Sequence, residues 1–347
     1  MEFSNKLIIW YLKNKRILPW REDQNPYYIW LSEIMLQQTR VDQSLPYFLK
    51  YIDTFPAIQD LADADENEVL KLWQGLGYYS RARNLLFTAK YISTGLNGQF
   101  PNSYKELLKL KGIGDYTAAA ISSICFNEPK AVVDGNVYRV LSRYFDIDIP
   151  INSSKGIAAF KELAQELISI DKPGDYNQAI MELGATVCKP QNPNCEDCVL
   201  NDACLALKNN KQKLLPVKKN KAKIKTIHLN YLVVVSENKK TIVEKRKGKG
   251  IWQHLYQFPL IESHQEMNQE EIISNPLFVS MFNEFEINIR LHNDVPIQHK
   301  LTHRHLLAKF WIIKVPKLEQ FTTEWKKMNE FPVPILIANF LKQFKID

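Results

Sequence analysis

The stretch LKGIGDYTAAA, residues 110–120, decides which class of fold this chain can adopt. Two glycines flank one isoleucine, and the small residues that follow are typical of a helix that packs closely against a neighbour; Asp115 is placed to cap that helix. Backbone amides at such a helix start face outward with the positive end of the helix dipole behind them, which suits a phosphate. A plain turn between two helices has the same Gly-x-Gly pattern. The stretch therefore predicts a helical hairpin and leaves its function open.

The helical pattern extends on both sides of this turn, over residues 1–208. One helix is predicted from Pro26 to about Gln38, because an asparagine before the proline is a good cap and apolar residues then recur at helical spacing. Ser103 and Glu106 form a capping box, which predicts a second helix that ends at the first glycine of the turn. The N-terminal part of the chain is therefore predicted to be mainly α.

The sequence changes character after this helical region. The segment KQKLLPVKKNKAKIK, residues 211–225, carries seven lysines and one proline, and it is interpreted as a basic linker. Three later runs, residues 229–235, 240–246 and 308–315, are rich in β-branched and aromatic residues and have the length of strands. A second domain of mixed α/β structure is therefore expected to start near residue 226.

Composition and charge exclude several classes of protein. The 347 residues include 45 Lys and Arg against 38 Asp and Glu, a mild basic excess that is compatible with a nucleic-acid partner. The N-terminus mixes charged and apolar residues too closely for a signal peptide, and no apolar run is long enough to span a membrane. Because the cysteines are clustered and not dispersed in pairs, we expect a reducing compartment, the cytoplasm.

Four cysteines form the most specific pattern in the chain. Cys188, Cys195, Cys198 and Cys204 have the spacing C-x6-C-x2-C-x5-C. Four thiolates in one loop are what a structural zinc ion or an iron–sulfur cluster needs, and the spacing alone does not separate the two. The fifth cysteine, Cys125, lies in an apolar helical stretch and is interpreted as a buried, inert thiol.

Two carboxylates have ordinary interpretations when each is taken alone. Asp134 follows the second glycine of the turn by twenty residues and precedes a predicted helix, where an aspartate is commonly an N-cap. Glu33 lies away from the apolar face of the helix that starts at Pro26, where a glutamate is commonly solvated. Neither residue by itself indicates a catalytic site.

Together these features resemble a known family. A helix–Gly-x-Gly–helix turn, an aspartate about twenty residues later and a four-cysteine loop, in that order, are similar to the iron–sulfur helix-hairpin-helix DNA glycosylases. Within that group the chain resembles the adenine DNA glycosylases that act on adenine mispaired with 8-oxoguanine (the MutY family). The motifs that carry this resemblance are LPWR (18–21), WLSEIMLQQTRV (30–41), GLGYYSRARNL (75–85), VVDGNVYRVLSR (132–143) and NQAIMELGATVC (177–188).

The resemblance implies a catalytic set of four residues. Cleavage of an N-glycosidic bond needs a proton for the departing base and a negative charge beside the oxocarbenium-like sugar, which calls for two carboxyl groups in opposite roles. By the resemblance, Glu33 is the general acid and also handles the water, and Asp134 stabilises or traps the sugar cation. Tyr116 and Asn136 match positions that support this site.

The resemblance also implies contacts with the base and with DNA. The flipped adenine needs a pocket, and a side chain that enters the duplex must recover the cost of unstacking through new contacts. The implied residues are Trp20 and Arg21 in the adenine pocket, Leu36, Gln38 and Tyr78 as a wedge beside 8-oxoguanine, and Gly112 and Gly114 at a phosphate.

The C-terminal domain resembles the Nudix-like module of these enzymes, which reads 8-oxoguanine. The sequence lacks the R-E-x-x-E-E core of a working Nudix hydrolase, so recognition is expected and not hydrolysis. Leu301, Thr302 and His303 align with a lesion-reading hairpin that usually reads Phe-Ser-His, and the first of them lacks the aromatic ring. His299, His303 and His305 also have the spacing of a metal site, but solvated strand histidines are the preferred interpretation because no carboxylate is nearby.

These implications combine into one hypothesis of organisation. It comprises a mainly α helix-hairpin-helix glycosylase domain at 1–208 with an iron–sulfur loop at 188–204, a basic linker at 209–225 and an α/β (α+β) Nudix-like domain at 226–347. Because relatives hold a 4Fe–4S cluster with this cysteine pattern, iron is preferred over zinc. We expect a monomer that binds double-stranded DNA with A:8-oxoguanine or A:G mispairs in a bacterial nucleoid. The linker is a candidate contact for DNA or a sliding clamp, or a solvated tether.

Two other functions predict different behaviour. A bifunctional glycosylase/lyase of the endonuclease III type needs a lysine nucleophile after the Gly-x-Gly turn, and Tyr116 removes that amine. A lesion-binding protein without activity has the same scaffold, and it would bind lesion DNA without releasing adenine. The sequence therefore favours a monofunctional glycosylase that removes the base without cleaving the DNA strand.

Overall fold

The computed structural model divides the chain into two compact units. It describes residues 2–219, 224–283, 287–301, 303–318 and 322–346. The first unit consists of Met1–Asp63 and Asn84–Asn220, and the second of Ala64–Arg83 and Lys221–Asp347. The sequence did not predict that Ala64–Arg83, within the helical region, groups with the C-terminal residues.

Helices follow one another through the N-terminal region. They are α1 (Glu2–Asn14), α2 (Pro26–Leu36), α3 (Val41–Thr54), α4 (Ile58–Asp63), α5 (Glu66–Leu72), α6 (Ser80–Gly95), α7 (Tyr104–Leu107), α8 (Asp115–Phe126), α9 (Gly135–Tyr144), α10 (Ser154–Leu167), α11 (Pro173–Thr186) and α12 (Leu205–Lys208). Among the described residues, no helix combines the length and the apolar character needed to cross a bilayer.

Helix α2 is confirmed, and it is more deeply buried than the sequence predicted. The Asn25 side chain caps it by accepting from the Tyr27 amide at 2.9 Å. Since α3 and α8 both pack against α2, its residues are buried on all sides from Ile29 to Met35. Glu33, expected on a solvated face, is therefore in the interior with 7% of its surface exposed.

The helical hairpin is present, although its first helix is a single turn. Ser103 accepts from the Glu106 amide at 3.4 Å, but the Glu106 carboxylate pairs with Lys109 at 2.6 Å, so the predicted capping box is only half formed. Gly112 has φ +81° and a Cβ there would lie 2.7 Å from Cβ of Asn84, so both conformation and space require glycine.

The start of α8 differs from the prediction. Gly114 is the N-cap, and no side chain of the described residues caps the helix there. Asp115 was predicted as the cap; instead its carboxylate accepts hydrogen bonds from Lys161, at 2.5 Å, and from the Tyr104 hydroxyl. The exposed Gly114 would admit a Cβ with no described atom within 4 Å.

Residues 220–223 of the predicted linker lie outside the described residues, and its last residue, Lys225, begins strand β1 (Lys225–Ser236). The described N-terminal part of the linker packs on the first unit: Leu215 is buried, the Ile151 amide donates to the Val217 carbonyl at 3.0 Å, and Lys211 pairs with Asp146 at 2.7 Å. The domain limits given by the sequence remain a prediction.

The second unit is built on a mixed sheet with the order β5-β1-β8-β6, and β7 also pairs with β8. Strands β1 and β8 are parallel, and their neighbours are antiparallel. The predicted strand at 240–246 is two short strands. The elements are β1 (Lys225–Ser236), β2 (Lys240–Thr241), β3 (Glu244–Lys245), β4 (Tyr256–Gln257), β5 (Leu260–Ser263), α13 (Gln269–Ile273), α14 (Pro276–Phe282), β6 (Asn288–Leu291), β7 (Ile297–Lys300), β8 (Arg304–Val315), β9 (Thr323–Glu324) and α15 (Ile335–Gln343).

Helices cover both faces of this sheet. On one face Phe310 of β8 stacks on Phe340 of α15, with ring centroids 4.1 Å apart. On the other face Trp311, the next residue along β8, belongs to an apolar cluster with Phe278 and Phe282 of α14. This alternation follows from the two-residue period of a strand, and it explains why β1 and β8 are apolar on both sides. The predicted fold class, a mainly α unit followed by an α/β unit, is confirmed.

Candidate active site

The Glu33 carboxyl group lies in a setting that favours its protonated form. Oε2 is buried and has no hydrogen-bond partner among the described residues. Burial raises the pKa of Glu33 to about 7, the nearby charge of Asp134 adds to the increase, and Tyr116 and Arg21 act in the opposite direction. A carboxyl group with this pKa can donate a proton near neutral pH, as a general acid must.

Tyr116 is close enough to both predicted catalytic carboxylates for their charges to act on its hydroxyl. Its hydroxyl lies 3.2 Å from Sδ of Met181 and can also donate to Glu33. Burial, followed by the charges of Glu33 and Asp134, raises the pKa of Tyr116 well above its ordinary value. The phenol therefore stays neutral and remains a hydrogen-bond donor to the site.

Asp134 is also buried, but both of its carboxylate oxygens accept hydrogen bonds. It is the N-cap of α9, as its position in the sequence predicted, and Oδ1 accepts from the amides of Asn136 and Val137, each at 2.8 Å. Oδ2 accepts from Nδ2 of Asn136, also at 2.8 Å. Burial raises the pKa of Asp134, and these three hydrogen bonds oppose the increase. The donors and the helix dipole suit a carboxylate that carries charge while the reaction proceeds.

A buried arginine connects Asn136 to the cysteine loop. Nη2 of Arg139 donates to Oδ1 of Asn136 and to the Gly184 carbonyl, each at 2.8 Å, and Nε donates to the Cys188 carbonyl at 2.6 Å. A Cβ at Gly184 would lie 2.6 Å from Cβ of Asn136, so glycine is needed for α11 to approach α9 this closely. The start of α9, which carries Asp134, is thereby fixed from two sides.

Glu182 is a functional candidate that the sequence interpretation missed. Its side chain, 1% exposed, accepts from Arg16 at 2.6 and 2.8 Å and from Arg21 at 2.8 Å. Although burial raises its pKa, the hydrogen bonds from the two arginines outweigh burial and lower the pKa to about 2. The only sequence signal was an acidic residue inside an apolar helical stretch, which is easily taken for a solvated position.

The predicted adenine-pocket residues lie next to this ion pair. The Arg21 guanidinium is 5.6 Å from the ring centre of Tyr11, and Trp20 is buried. Both contribute to a cavity of about 290 Å³, which Gln178 also lines while accepting a hydrogen bond from the Tyr11 hydroxyl at 3.0 Å. Arg21 is thus already oriented by Glu182, and Gln178 can offer its amide to a ligand.

The three predicted wedge residues are not core residues. Leu36 is half-buried, Gln38 is exposed and Tyr78 is 49% exposed. Gln38 and Tyr78 have φ of 57° and 48°, a left-handed conformation that costs a non-glycine residue about 1 kcal/mol or more and concentrates at functional sites. Leu36 and Gln38 belong to the first unit and Tyr78 to the second.

The four cysteines have the chemistry of a thiolate site. None of them forms a disulfide, and Nη1 of Arg143 donates to Sγ of Cys188 at 3.3 Å. The same guanidinium also donates to the carbonyls of Lys189 and Pro190, which fixes the start of the loop. Among the described residues, no three or more His, Cys, Asp or Glu side chains are drawn together around a common metal position. The donor types therefore fit a metal cluster, although the sulfur atoms are not gathered as ligands.

Two of the predicted lesion-reading residues, Leu301 and His303, lie between the end of β7 and the start of β8. The Leu301 amide donates to the Arg304 carbonyl at 2.8 Å, and His303 is exposed. Thr302 lies outside the described residues. His299 packs against Trp252 with ring centres 5.8 Å apart, and burial lowers its pKa, so it is not a solvated strand histidine as predicted.

Comparisons with known proteins identify the family to which the chain belongs. The model of the HhH-GPD superfamily base excision DNA repair protein matches residues 31–182, and the NUDIX domain model matches residues 230–343. An adenine DNA glycosylase of Buchnera aphidicola subsp. Baizongia pistaciae (strain Bp) is 36% identical over 99% of this chain and 97% of its own length. The adenine DNA glycosylase of Homo sapiens is 43% identical over 61% of this chain and 41% of its own length.

A solved structure extends the comparison to the fold. A thermostable thymine-DNA glycosylase superposes with a TM-score of 0.54 at 28% identity, covering 60% of this chain and 96% of that one. The predicted resemblance is therefore confirmed in both sequence and fold. The chain belongs to the adenine DNA glycosylase family of base excision repair, whose members are hydrolases that act on N-glycosyl bonds.

Proposed function

We propose that the chain is a monofunctional glycosylase that removes adenine mispaired with 8-oxoguanine or guanine in double-stranded DNA. The observation that carries this proposal is the contrast between its two carboxyl groups. Glu33 is buried with an oxygen that has no partner in the described chain and with a pKa of about 7, whereas Asp134 receives three hydrogen bonds. Glu33 can donate a proton while Asp134 carries a negative charge.

The proposed reaction begins with extrusion of the adenine, since its glycosidic bond is inaccessible inside the duplex. Trp20 and Arg21 hold the flipped base, and Glu182 keeps the Arg21 guanidinium in place. Glu33 donates its proton to the adenine ring as the bond to the sugar lengthens, so that a neutral base departs. The oxygen of Glu33 is then a base for the attacking water.

Asp134 acts on the sugar in this proposal. As the glycosidic bond breaks, positive charge develops at the sugar, and a carboxylate fixed by amides of α9 stabilises it or adds to it covalently. Asn136 contributes the third hydrogen bond and is itself held by Arg139. Because these contacts exist before the base arrives, little reorganisation is needed at the moment of reaction.

Tyr116 supports the monofunctional assignment. A lyase of the endonuclease III type forms a Schiff base through a lysine, and a phenol cannot form one. We expect little protein–DNA adduct when the reaction is treated with borohydride. Efficient trapping would show that another amine attacks the sugar. The chain would then be assigned as a glycosylase/lyase and not as a monofunctional glycosylase.

Lesion recognition is proposed for both units. Leu36, Gln38 and Tyr78 wedge beside the 8-oxoguanine, and Leu301, Thr302 and His303 contact the lesion itself. The absence of an R-E-x-x-E-E motif from the sequence supports recognition by the C-terminal unit and not hydrolysis. Gly112 and Gly114 let a phosphate approach the amides of α8, supported by the open space at Gly114. Exposed lysines of the linker add to DNA binding or contact a sliding clamp, in a monomer that works on nucleoid DNA.

The cysteine loop is proposed to hold a 4Fe–4S cluster through Cys188, Cys195, Cys198 and Cys204. When bound, the cluster would hold the loop as a rigid element against DNA and would take no part in cleavage of the bond. Arg143 orients the Cys188 sulfur for this purpose. A brown protein that absorbs at ~400 nm and holds about four iron atoms is expected, whereas a colourless preparation with bound zinc would overturn the assignment.

The decisive experiment is single-turnover release of adenine. Purified protein is mixed with duplexes that contain A:8-oxoguanine, A:G or A:C, and free adenine is measured by chromatography. Release from A:8-oxoguanine that is faster than from A:G, with A:C slowest, supports the proposal. Binding of the lesion duplex without any free adenine would support the lesion-binding protein instead.

A further inference from the structure

The segment that carries Tyr78 is held by a loop that the sequence analysis did not single out. Residues Ala64–Arg83, which we call the Tyr78 segment, belong to the second unit. Residues 246–255 connect β3 to β4, and we call residues 247–254 of this connection the β3–β4 loop. The contacts between these two parts lie at both ends of the Tyr78 segment, with Tyr78 between them.

The first end is fixed by Glu66, at the start of α5. Nδ1 of His254 lies 2.9 and 3.1 Å from its two oxygens, and because a carboxylate only accepts, this nitrogen carries the proton. Nζ of Lys245, on β3, lies 3.3 Å from Glu66 and 3.2 Å from Oδ1 of Asn67. These groups are about one-third exposed, so the contacts are partly shielded from water.

The second end is fixed by Arg83. Nη1 of Arg83 donates to the Gln253 carbonyl at 2.7 Å, and Nη2 donates to Oε1 of the same residue at 3.3 Å. This carbonyl is presented by an unusual backbone, since Trp252 has φ 60° and His254 has φ 68°. Non-glycine residues persist in this conformation when their surroundings hold them there.

The loop is itself anchored to the sheet. Trp252 is 7% exposed and packs on His299 of β7, the strand that directly precedes Leu301. Its backbone closes the turn, because the Leu255 amide donates to the Trp252 carbonyl at 3.0 Å. The loop thus contacts the Tyr78 segment on one side and strand β7 on the other.

Tyr78 is coupled to its segment by a buried arginine. Arg81 lies 5.5 Å from the ring centre of Tyr78 and 5.3 Å from that of Trp73, and it donates to the carbonyl oxygens of Leu76 and Gly77 at 3.3 and 3.1 Å. These contacts tie the turn that presents the Tyr78 ring to Trp73, Leu76 and Gly77. A shift at either end of the segment is expected to move the ring with it.

We propose that the β3–β4 loop is a positioning element that determines the specificity of the glycosylase. By holding both ends of the Tyr78 segment, it sets where the Tyr78 ring meets the lesion pair relative to the β7–β8 hairpin. This inference rests on the proposed function, in which Tyr78 wedges beside 8-oxoguanine. The loop residues do not touch the reacting atoms, so discrimination between lesions depends on them and the chemical step does not.

The variants follow from the contacts. Arg83→Met removes both donors to Gln253 and preserves the apolar stem, whereas Arg83→Lys restores one donor. His254→Gly removes the contact with Glu66, and glycine adopts φ 68° without strain. Lys239→Gly is the matched control, because Lys239 is another exposed residue of the second unit at positive φ, 54°, in the turn between β1 and β2.

The expected result is a selective loss of discrimination. We measure the second-order rate constant of adenine release at subsaturating enzyme and take its ratio for A:8-oxoguanine over A:G. In Arg83→Met and His254→Gly this ratio falls about tenfold, which corresponds to the loss of one hydrogen bond to a charged group. The rate at saturating enzyme on A:8-oxoguanine changes less than about twofold, since the chemical step is untouched. Arg83→Lys recovers part of the ratio and Lys239→Gly retains all of it.

Two results would overturn the proposal. One is a ratio of A:8-oxoguanine to A:G activity that, in both variants, stays within about twofold of the ratio for the unmodified chain. The other is an undiminished loss when Arg83→Met is placed in a Tyr78→Ala chain, because independent effects add and the loop would then act elsewhere.

Hydrogen exchange separates this inference from the proposed function. In the DNA-free protein, the amides of residues 75–79 are expected to exchange faster in Arg83→Met and His254→Gly than in the unmodified chain. In Lys239→Gly their exchange rate is expected to be unchanged. Unchanged exchange in all variants rejects the positioning role whatever the activity. Absence of adenine release by the unmodified chain rejects the proposed function, while faster exchange in the two variants would still support the mechanical link.

Discussion

The surroundings of Glu33 and Glu182 differ although both glutamates are buried in the helical unit. Glu33 is 7% exposed and Glu182 is 1% exposed. Burial raises the pKa of Glu33 to about 7, while two arginines lower the pKa of Glu182 to about 2. Burial alone thus does not decide the protonation state; the partners of the carboxylate do.

The comparison separates a reactive group from a structural one. Oε2 of Glu33 has no partner in the described chain, which leaves an oxygen to serve a substrate. Both oxygens of Glu182 are used by Arg16 and Arg21, so that carboxylate orients a pocket residue and has nothing further to donate or accept. A buried carboxyl group with a raised pKa and an unsatisfied oxygen has the properties of a catalytic acid.

The largest effect is expected from Glu33→Gln. The amide occupies the same space and cannot lend a proton, so the single-turnover rate of adenine release should fall by about 10²–10⁴-fold. Binding of A:8-oxoguanine DNA should persist, measured by fluorescence anisotropy. Glu166→Gln, on the exposed side of α10, is the matched control and should retain the rate. A Glu33→Gln protein as fast as the control would remove Glu33 from the mechanism.

Glu182→Ala should mainly cost stability. It leaves two arginines without their carboxylate, one of them 12% exposed, at a cost of roughly 3–5 kcal/mol in the free energy of unfolding. Urea unfolding followed by tryptophan fluorescence measures it, with the exposed Glu162→Gln as control.

The dependence of the free energy of unfolding on acid pH tests the direction of the Glu182 pKa shift. Since the pKa of Glu182 is lowered from 4.5 to about 2, its stabilisation is present above pH 4.5 and is lost as pH falls towards 2. The difference between the unmodified chain and Glu182→Ala should therefore shrink in acid. A difference that grows in acid would contradict the ion-pair assignment.

The pH dependence of the reaction should report Glu33. A general acid must be protonated, and a group with a raised pKa of about 7 is protonated below that pH. The single-turnover rate should therefore be level in mild acid and fall about tenfold per pH unit above pH 7. Rates measured from pH 5.5 to 9 test this; a rate that rises through pH 7 would exclude the acid role.

Tyr116→Phe should produce the smallest effect. The Tyr116 hydroxyl lowers the pKa of Glu33, so its removal should move the falling limb of the pH profile to higher pH. The rate at pH 6 should change less than about tenfold, because one neutral hydrogen bond is lost. The single-turnover rate of both proteins is measured across the full pH range. If the pH at which the rate falls is unchanged or lower in Tyr116→Phe, the phenol does not act on Glu33.

The sequence predicted some of the fold and part of the site from local physics. The cap of α2 at Asn25, the N-cap at Asp134 and the apolar runs of β1 and β8 were all foreseen, because each depends on residues close in the chain. The predicted cap at Asp115 was wrong, since two distant groups, Tyr104 and Lys161, compete for its carboxylate. The domain limits and the roles of individual site residues stay predictions.

The pattern of residues by itself determined that this chain has a helical hairpin, a thiol-rich loop and an α/β unit with a family resemblance. It did so because helix caps, turns and strand periods are set by neighbours in sequence. Only the tertiary structure decided that Glu33 is buried without a partner for Oε2, that Glu182 is paired, and that the Tyr78 segment is held by the β3–β4 loop. Burial and charge pairing arise between residues far apart in the chain, and a pKa depends on all of them at once.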